Sequence, residues 1–414
     1  MKIAILGYGA EGQSAAAYFQ KAHHETKIFD HFEGQDLESF HLADYDLVMR
    51  SPSVRPQGNW SSVTKYFFAK CPCPIIGVTG TKGKGTTCSF ITSILEHLGH
   101  KVWLVGNIGT PALDVLDQVK PEDVVVYELS SFQLWDLDFS PHIALVLRIE
   151  PDHLNVHKDF DDYVAAKSNI TRHQTSYDYC IYYRDNAESK KIAQLSPGQK
   201  YCYPKTKDRE IIDQVLNSLT VPGQHNREDA EAALLAIAAY YRQNPCQFIQ
   251  EHLSTIQQAL HDFKGLPHRL QFLREVNQVA YYDDNFSASF PALDVALAAF
   301  PEQDIILIAG GKDRGIDPAP AKNRIFQTAN VRKVFLIGET SSILAKGEDP
   351  TKYQICDSLD GAFASARKLA NELAQNPKHN LPVVLLMSPG APSFDMFKNF
   401  SDRGEQFQKL VQEL

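Results

Sequence analysis

One glycine-rich segment near residue 80 restricts the fold of this chain more than any other. A short apolar run at 75–78 precedes the segment 80–87, Gly-Thr-Lys-Gly-Lys-Gly-Thr-Thr, and apolar residues then recur at helical spacing as far as Gly99. A strand, a glycine-rich turn and a helix in this order are typical of a phosphate-binding loop, because backbone N–H groups and the helix N-terminus attract phosphate oxygens. An ordinary strand-to-helix turn is the alternative, but the lysine and the hydroxyl residues favour a nucleotide site.

The side chains of this loop have separate expected roles. Lys84 would reach the terminal phosphates, and the Thr86 hydroxyl would hold Mg²⁺. The loop departs from the usual sequence pattern of a phosphate-binding loop, because Gly85 stands where a serine or threonine normally follows the lysine. The residues expected to bind the nucleotide here are Gly80, Thr81, Gly83, Lys84, Gly85 and Thr86.

A second glycine pattern opens the chain. Residues 2–6 form an apolar run, and residues 7–12 have the G-x-G-x-x-G pattern of a nucleotide-binding turn. Asp30 ends the next predicted strand, where a dinucleotide fold places its ribose-binding acid. A third strand at 46–49 and a turn at Ser51 complete a segment too short for a two-half dinucleotide domain, which argues against a dehydrogenase.

Two further predicted strands carry polar side chains at their carboxyl ends. The run 123–129 is almost entirely apolar, as expected for a parallel strand covered on both faces, and Glu128 lies at its end. The strand at 143–149 is followed by Asp152 and His153. Because open α/β sheets bind ligands at this edge, a phosphate loop, a carboxylate and a histidine together predict a Mg–ATP site.

Lys167 has an unusual position for a lysine. On a predicted helix at 159–171 it shares the inward face of Phe160 and Tyr163. Burial favours the neutral amine, which reacts with CO₂ to give a metal-binding carbamate. From the residues alone, a packed stem with its ammonium paired to an acid is the preferred interpretation.

Strands and helices alternate again in the last third of the chain. The predicted strands there are 279–282, 305–309, 334–337 and 383–387. A Pro/Cys-rich linker at 71–74 and turn residues at 264–267 indicate boundaries. We therefore expect an α/β protein of three domains: a small Rossmann-like domain at 1–72, a central parallel sheet of the P-loop ATPase type at 73–264, and a second Rossmann-like domain at 265–414.

Composition excludes several classes of protein. A hydrophobic fraction of 43% and a charged fraction of 22% are typical of a globular protein, and a net charge of −9 offers no basic surface to nucleic acid or membrane. No run is long enough to span a bilayer, and the N-terminus turns to glycine too early for a signal peptide. Cys71 and Cys73 lack a second pair to complete a metal site, and the seven unpatterned cysteines fit a reducing compartment. We expect a cytoplasmic monomer that acts on small molecules.

A series of motifs runs through the whole chain in a fixed order. The most specific are Glu-Leu-Ser-Ser-Phe-Gln at 128–133 and Asp-Met-Phe-Lys-Asn-Phe at 395–400. The others lie at 7–12, 80–87, 106–109, 152–153, 165–167, 223–226, 265–269 and 403–404. Together they resemble the Mur ligases of peptidoglycan synthesis, and cover all three predicted domains.

The resemblance implies an ATP-dependent amide ligase. ATP would phosphorylate the L-alanine carboxylate of UDP-N-acetylmuramoyl-L-alanine, and the amino group of D-glutamate would attack the resulting acyl phosphate. Thr86 and Glu128 would hold a first Mg²⁺, and His153 with a carbamylated Lys167 would hold a second. Because of the resemblance to this family, a carbamate becomes the preferred interpretation of Lys167. The residues with catalytic roles would be Lys84, Glu128, His153 and Lys167.

The same resemblance assigns binding roles to residues outside the loop. Contacts to the nucleotide would also come from Asn226, Arg269 and Asp284. Contacts to the UDP-muramoyl-alanine substrate would come from Gly9, Glu11, Asp30, Ser51, Asn107, Ser130 and Gln133. The glutamate-side segment is matched by Ser393 and Phe394.

Some positions depart from the family pattern. Gly85 followed by Thr86 is more similar to folylpolyglutamate synthase, Arg148 replaces an asparagine, and Asp229 stands where a second asparagine often follows. Phe286 stands where the D-glutamate ligases have a lysine that helps bind the incoming glutamate.

The phenylalanine leaves alternatives open for the amino acid and for the function. Either Lys312 or Arg314 replaces the missing lysine, or the amino acid is another one, such as L-glutamate. A folylpolyglutamate-synthase-like ligase is the other enzyme alternative. A nucleotide-binding regulatory protein is the non-enzyme alternative, and an intact set of Lys84, Glu128 and His153 argues against it.

Overall fold

The computed structural model describes residues 1–31, 40–205, 207, 209–376 and 380–414. In these residues, three β-sheets follow one another along the chain, each with helices between its strands. This is the predicted α/β class with three Rossmann-like or P-loop-type sheets, and that prediction is confirmed.

The first sheet is small and wholly parallel, with the strand order β2-β1-β3-β4. Its elements are β1 Lys2–Leu6, α1 Ala10–Lys21, β2 Glu25–Phe29, β3 Leu47–Arg50, β4 Ser61–Ser62 and α2 Val63–Lys70. Gly7 turns the chain from β1 into α1 with a φ of 83°, and a Cβ on Gly12 would lie 2.0 Å from the Gly7 carbonyl oxygen. The two glycines therefore let α1 pack directly onto the end of β1.

The second sheet has six parallel strands in the order β10-β9-β8-β5-β7-β6. Its elements are β5 Ile75–Thr79, α3 Lys84–His97, β6 Val102–Gly106, α4 Ala112–Val115, β7 Val124–Glu128, α5 Ser131–Leu134, β8 Ile143–Val146, α6 Phe160–Arg172, β9 Tyr179–Tyr183, α7 Ala187–Gln194 and β10 Gln199–Tyr203. Every residue of β5, β7 and β8 is buried, which explains their near-continuous apolar sequence.

Four helices follow the second sheet. They are α8 Arg209–Leu216, α9 Gln224–Tyr240, α10 Pro245–Glu251 and α11 Leu253–Asp262. The helix α9 begins at Gln224, so Asn226 lies in its first turn.

The third sheet is mixed, with the order β11-β12-β16-β13-β14-β15. Its elements are β11 Gln271–Val276, β12 Val279–Asp283, α12 Phe290–Ala298, β13 Asp304–Gly310, α13 Ala319–Gln327, β14 Val331–Ile337, α14 Thr340–Ala345, β15 Tyr353–Ile355, α15 Leu359–Ala374, β16 Val383–Met387 and α16 Phe400–Gln412. Only β11 is antiparallel, and it pairs with β12 across the two-residue turn Asn277 and Gln278, both at positive φ. We did not predict β11, because it is half-exposed and lacks an apolar pattern.

The chain forms two compact units. The first comprises Met1–Ser218 and Arg227–His261, and one hydrophobic core within it includes residues of both the first and the second sheet. The second comprises Leu219–Asn226 and Asp262–Leu414, with a core on each face of the third sheet. The predicted boundaries at 72/73 and 264/265 stay predictions.

Among the residues that the structure describes, no helix combines the length and the apolar composition needed to cross a bilayer.

Candidate active site

The glycine-rich loop joins β5 to α3 as the sequence predicts. Gly83 is the N-cap of α3 with a φ of 84°, and Lys84 is the first residue of the helix. A Cβ on Gly83 would lie 2.6 Å from Oδ1 of Asp229, so the loop has no room for a side chain there. The helix N-terminus and the backbone of the loop thus form an anion-binding turn at the carboxyl end of a buried strand.

Lys84 folds its side chain back over the loop. Its Nζ donates hydrogen bonds to the carbonyl oxygens of Gly80 and Thr81, each at 3.0 Å. Both carbonyl oxygens belong to the backbone of the loop. The Lys84 ammonium therefore lies where it would contact a phosphate bound by the loop. This position agrees with its predicted phosphate-binding role.

Thr81 anchors the loop to the segment that follows β8. Its N–H donates to the Arg148 carbonyl at 2.9 Å, and its hydroxyl accepts from the Glu150 N–H at 2.9 Å. The same hydroxyl lies 3.1 Å from the Tyr163 hydroxyl. Thr81 was predicted as a nucleotide contact, and its polar groups hold the loop in place.

Lys167 is buried behind the loop, with 1% of its surface exposed. Its Nζ donates to the Gly80 carbonyl at 2.9 Å and to the Thr79 hydroxyl at 3.3 Å, and it lies 4.7 Å from the Tyr163 ring centroid. Burial lowers the pKa of this amine well below its usual value, and the nearby Lys84 charge lowers it further. No carboxylate of the described residues forms an ion pair with it, although Asp152 and Glu128 are close enough to favour its charged form.

Glu128 ends β7 as a buried carboxylate. Asn107 donates its side-chain amide to Oε1 at 2.8 Å and its backbone N–H to the Glu128 carbonyl at 3.1 Å. Thr86 is half-buried in the first turn of α3, and the fully buried Cys88 below it has a raised thiol pKa, from burial and then from the charge of Glu128. Among the residues described, no three histidine, cysteine, aspartate or glutamate side chains cluster as a metal site by themselves.

His153 differs from the other catalytic candidates because it is exposed. It has a φ of 54°, its Nε2 lies 3.6 Å from Oδ2 of Asp152, and its ring centroid is 5.0 Å from that of Phe132. A buried histidine near it in the chain, His157, was not predicted. His157 contacts the Ser131 hydroxyl with Nε2 at 2.9 Å and Oδ2 of Asp162 with Nδ1 at 3.1 Å.

The predicted UDP contacts of the first sheet lie around the Gly7 turn. Asp30 accepts a hydrogen bond from the Tyr8 N–H at 2.7 Å. The buried Ser51 donates its hydroxyl to the Gly7 carbonyl at 2.6 Å. Gly9 is exposed at the N-terminus of α1. The structure therefore brings these three predicted residues together at the carboxyl end of β1.

A buried polar pair links α1 to α5. Gln133 donates to Oε1 of Glu11, while its own Oε1 accepts from the N–H and hydroxyl of Ser130 at 2.8 Å and 2.9 Å. No described residue is bonded to the other carboxylate oxygen of Glu11, although that atom is buried. Burial raises the pKa of Glu11 to about 7, partly opposed by Gln133 and by the charge of Arg50.

The ends of β12 and β13 carry the predicted residues of the second unit. Asp284 is buried, accepts from the Ser388 hydroxyl at 2.7 Å and from the Leu270 N–H at 3.1 Å, and burial raises its pKa to about 7. Lys312 pairs with Glu339 at 2.6 Å. The exposed Arg314 forms no ion pair with any residue that the structure describes.

The other predicted residues of this unit have mixed surroundings. Asn226 is buried and donates to the Pro222 carbonyl at 2.6 Å. Ser393 is also buried, and its carbonyl accepts from the N–H groups of Met396 and Phe397 at 3.1 Å and 2.9 Å. Phe394 is 68% exposed.

A buried arginine and a buried histidine in this unit were quoted in the motifs but given no role. Arg403 donates to Oδ1 of Asn285 at 2.8 Å and to the Ala391 carbonyl at 3.1 Å. His268 contacts Oδ2 of Asp283 at 2.7 Å, and this hydrogen bond raises the pKa of the imidazole. Arg403 thereby ties the loop after β12 to the loop after β16, and His268 ties its own turn to the end of β12. Only a buried position, which the sequence pattern did not reveal, distinguishes them from surface residues.

One edge of the second sheet carries a phosphate loop and a buried glutamate. Two lysines donate hydrogen bonds to the same carbonyl of that loop. These features and the fold are those of a nucleotide-dependent enzyme of the Mur ligase type. The family model for the Mur ligase middle domain matches residues 78–218. This match and the similarity to full-length Mur ligases show that the chain belongs to the Mur ligase family, as its motifs predict.

Within this family the chain is similar to the D-glutamate-adding ligases. It is 31% identical to the UDP-N-acetylmuramoylalanine–D-glutamate ligase of Acetivibrio thermocellus, over 99% of this chain and 96% of that protein. The ligase of the same name from Clostridium botulinum is 29% identical, over 100% of this chain and 97% of its own length.

Solved structures share the fold at lower identity. The UDP-N-acetylmuramoylalanyl-D-glutamyl-2,6-diaminopimelate–D-alanyl-D-alanyl ligase of Acinetobacter baumannii has a TM-score of 0.59 at 16% identity, covering 92% of this chain and 90% of that one. The folylpolyglutamate synthase of Mycobacterium tuberculosis, complexed with ADP and AMPPCP, has a TM-score of 0.57 at 12% identity, covering 83% and 93%. At these identities the likeness shows the fold alone.

Proposed function

We propose that this chain is an ATP-dependent ligase that joins glutamate to the L-alanyl carboxylate of UDP-N-acetylmuramoyl-L-alanine. The observation that carries the proposal is the arrangement of Lys84, Lys167 and Glu128 around one glycine-rich loop. Full-length relatives that bear the name of the D-glutamate ligase support the same substrates.

The first step is a phosphoryl transfer to a carboxylate. An oxygen of the L-alanyl carboxylate attacks the γ-phosphorus of ATP, the bond to the β,γ-bridging oxygen breaks, and ADP leaves with that electron pair. Lys84 offsets negative charge on the transferred group, because its ammonium already lies at the loop. The N-terminus of α3, which begins at Lys84, adds a positive field to the same region.

The second step forms the amide. The neutral amino group of glutamate attacks the carbonyl carbon of the acyl phosphate, phosphate leaves with the electron pair of the bond between carbon and oxygen, and the nitrogen releases a proton to solvent water. Glu128, positioned by Asn107, lies at the same edge of the sheet as the loop.

The residues present fit a magnesium ion. Asn107 holds one oxygen of Glu128, and the Thr86 hydroxyl lies in the first turn of α3. One carboxylate, one hydroxyl and substrate phosphates are a usual donor set for Mg²⁺, which explains why no cluster of protein ligands is needed. When bound, the ion would neutralise charge on the transferred phosphoryl group.

We also propose that Lys167 is carbamylated and, with His153, supports a second Mg²⁺. Burial lowers the pKa of this amine, which has no carboxylate partner among the described residues, and so favours the neutral form with which CO₂ reacts. Lys167→Ala should be inactive, and acetate, which replaces a carbamate oxygen pair, should restore part of the activity. Absence of any rescue by acetate or other short carboxylic acids would remove the support for this role.

For the glutamate side chain, the two candidate cations after β13 are Lys312 and Arg314. Lys312 is paired with Glu339, whereas no described residue pairs with Arg314. We assign Arg314 to the carboxylate that the missing lysine would bind. Arg314→Ala should raise the KM for glutamate far more than the KM for ATP.

The test is phosphate release with ATP, Mg²⁺ and UDP-N-acetylmuramoyl-L-alanine, run separately with D-glutamate and L-glutamate. Release with D-glutamate alone is the expected result. Release only with L-glutamate would keep the ligase chemistry and assign the chain to L-specific enzymes. No release with either amino acid would refute the proposal, and release with a folate substrate would point to the folylpolyglutamate-type alternative.

The predicted domains and setting remain part of this proposal. We propose three domains at 1–72, 73–264 and 265–414, and a monomer that works in the cytoplasm. Seven free cysteines support a reducing compartment.

A further inference from the structure

Arg269 lies in a turn whose two neighbouring residues are both strained. His268 has a φ of 61° and Leu270 a φ of 44°, and neither is a glycine. Such backbone persists only where surrounding contacts impose it. Here His268 is held by its side chain on Asp283, and the Leu270 N–H donates to Oδ1 of Asp284 at 3.1 Å.

The segment after β12 adds a further hydrogen bond that holds the turn at 268–270. The Phe286 N–H donates to the His268 carbonyl at 2.9 Å, so Phe286 and Arg269 are fixed to each other through their backbones. Five residues from two separate segments, His268 and Leu270 with Asp283, Asp284 and Phe286, thus fix the backbone from which the Arg269 side chain extends.

The Phe286 ring then contacts the other end of that side chain. The central guanidinium carbon of Arg269 lies 3.9 Å from the Phe286 ring centroid, the distance of a face-on cation–π contact. The Phe286 ring meets the edge of Phe400 at a centroid distance of 5.1 Å and an angle of 83°. Phe286 is nevertheless 45% exposed, so burial alone does not explain a phenylalanine here.

We propose that Phe286 is a positioning residue that holds the Arg269 guanidinium in place for the nucleotide. This inference rests on the proposed function, which assigns Arg269 to the nucleotide. In the related ligases, position 286 carries a lysine that binds glutamate. In this chain the same position would instead support Arg269, the residue assigned to the nucleotide. A flat ring does this better than an aliphatic side chain, because only its π-face attracts the cation.

The first measurement follows Arg269 itself and needs no ligase activity. Phenylglyoxal modification of the full chain, quantified for the Arg269 peptide by mass spectrometry, should be faster in Phe286→Leu than in the natural protein. Phe286→Tyr keeps the ring and should react at the natural rate. The exposed Arg314 provides the internal reference. An unchanged rate in the leucine variant would overturn the proposal.

The second measurement is calorimetric binding of a non-hydrolysable ATP analogue with Mg²⁺. Phe286→Leu should weaken binding about twofold to fivefold, the range of an exposed cation–π contact, and Phe286→Tyr should not. Equal weakening in both variants would indicate a merely structural role and overturn the proposal. Unweakened binding in Arg269→Ala would show that the nucleotide assignment failed. Phosphate release by the natural protein tests the ligase function separately.

Discussion

Lys84 and Lys167 place their amino groups on the same backbone carbonyl, that of Gly80. Two ammonium ions so close would repel each other, and only Lys167 is fully buried. Burial and the Lys84 charge therefore both lower the pKa of Lys167. The loop thus has one cationic lysine at its mouth and one amine behind it with a strong tendency to be neutral.

Lys84→Ala should abolish turnover without unfolding the protein. The ammonium donates to two carbonyls of the phosphate loop, so its loss should lower kcat about 100-fold to 1000-fold. Lys82→Ala is the matched control, since Lys82 lies two residues away in the same loop with its side chain exposed. Phosphate-release kinetics and circular dichroism of both variants provide the check. Equal loss of activity in the two variants would contradict the assigned role.

Glu11 makes the stability of the first unit depend on pH. Its pKa is about 7 in the folded protein against an ordinary value of 4.5, so the folded state binds the proton more tightly. This stabilisation is complete below pH 4.5 and is lost as the pH rises through 7. Glu11→Gln should therefore show a smaller fall in Tm between pH 5 and about 8.5 than the natural protein.

The control for this titration is Glu25→Gln, because Glu25 is exposed at the start of β2. Its Tm profile should follow that of the natural protein. Asp284 has a similarly raised pKa. Because this residue is present in both variants and in the natural protein, its effect on Tm cancels in the comparison. Parallel profiles for Glu11→Gln and the natural protein would show that Glu11 does not carry the effect.

At the scale of elements, α3 offers a controlled comparison of two glycines. Gly83 and Gly99 lie at opposite ends of the helix with φ values of 84° and 90°. A Cβ on Gly99 would meet nothing within 4 Å, whereas a Cβ on Gly83 would meet Asp229 at 2.6 Å. Both substitutions to alanine incur the left-handed backbone penalty of about 1–2 kcal/mol, and only Gly83→Ala adds a clash.

Gly83→Ala should consequently destabilise the chain more than Gly99→Ala, and only Gly83→Ala should weaken binding of an ATP analogue. Urea denaturation and calorimetry measure the two effects. Asp229→Ala in the Gly83→Ala background should recover part of the lost stability. Equal destabilisation by the two alanines would mean that Asp229 moves away at no cost.

The sequence predicted the elements best where a strand is buried on both faces. Strands β1 and β16 were predicted with their observed bounds, and the phosphate loop was predicted from the strand, the glycines, the lysine and the helix in order. The edge strands β11 and β15 were missed, because exposed edges carry no apolar pattern.

The site was predictable only where residues near in sequence act together. Lys84 and Thr86 share one turn, so their spacing predicts a shared role, which stays a prediction. His157 and Arg403 act through partners far along the chain or across a loop, and no periodicity indicates that. The cation–π contact of Phe286 likewise joins residues from two segments. The sequence showed that the expected lysine is absent at 286, but not that the phenylalanine packs against Arg269.

For the whole molecule, the hydrophobic cores follow the two compact units. One core includes residues of the first and second sheets, and the two faces of the third sheet have cores of their own. Because the residues of each core lie within one unit, each unit has the buried surface to unfold cooperatively. We expect two transitions on denaturation rather than one.

Single core substitutions in each unit can assign these transitions. Ile76 lies in β5 and Leu386 in β16, and both are fully buried. Each change to alanine should lower the free energy of unfolding of its own unit by about 2–5 kcal/mol. Urea titration followed by tryptophan fluorescence and circular dichroism should show Ile76→Ala shifting one midpoint and Leu386→Ala the other. A single transition shifted equally by both variants would mean that the two units unfold together. In that case the division into units would describe packing but not stability, and ligand binding in one unit would stabilise the whole chain.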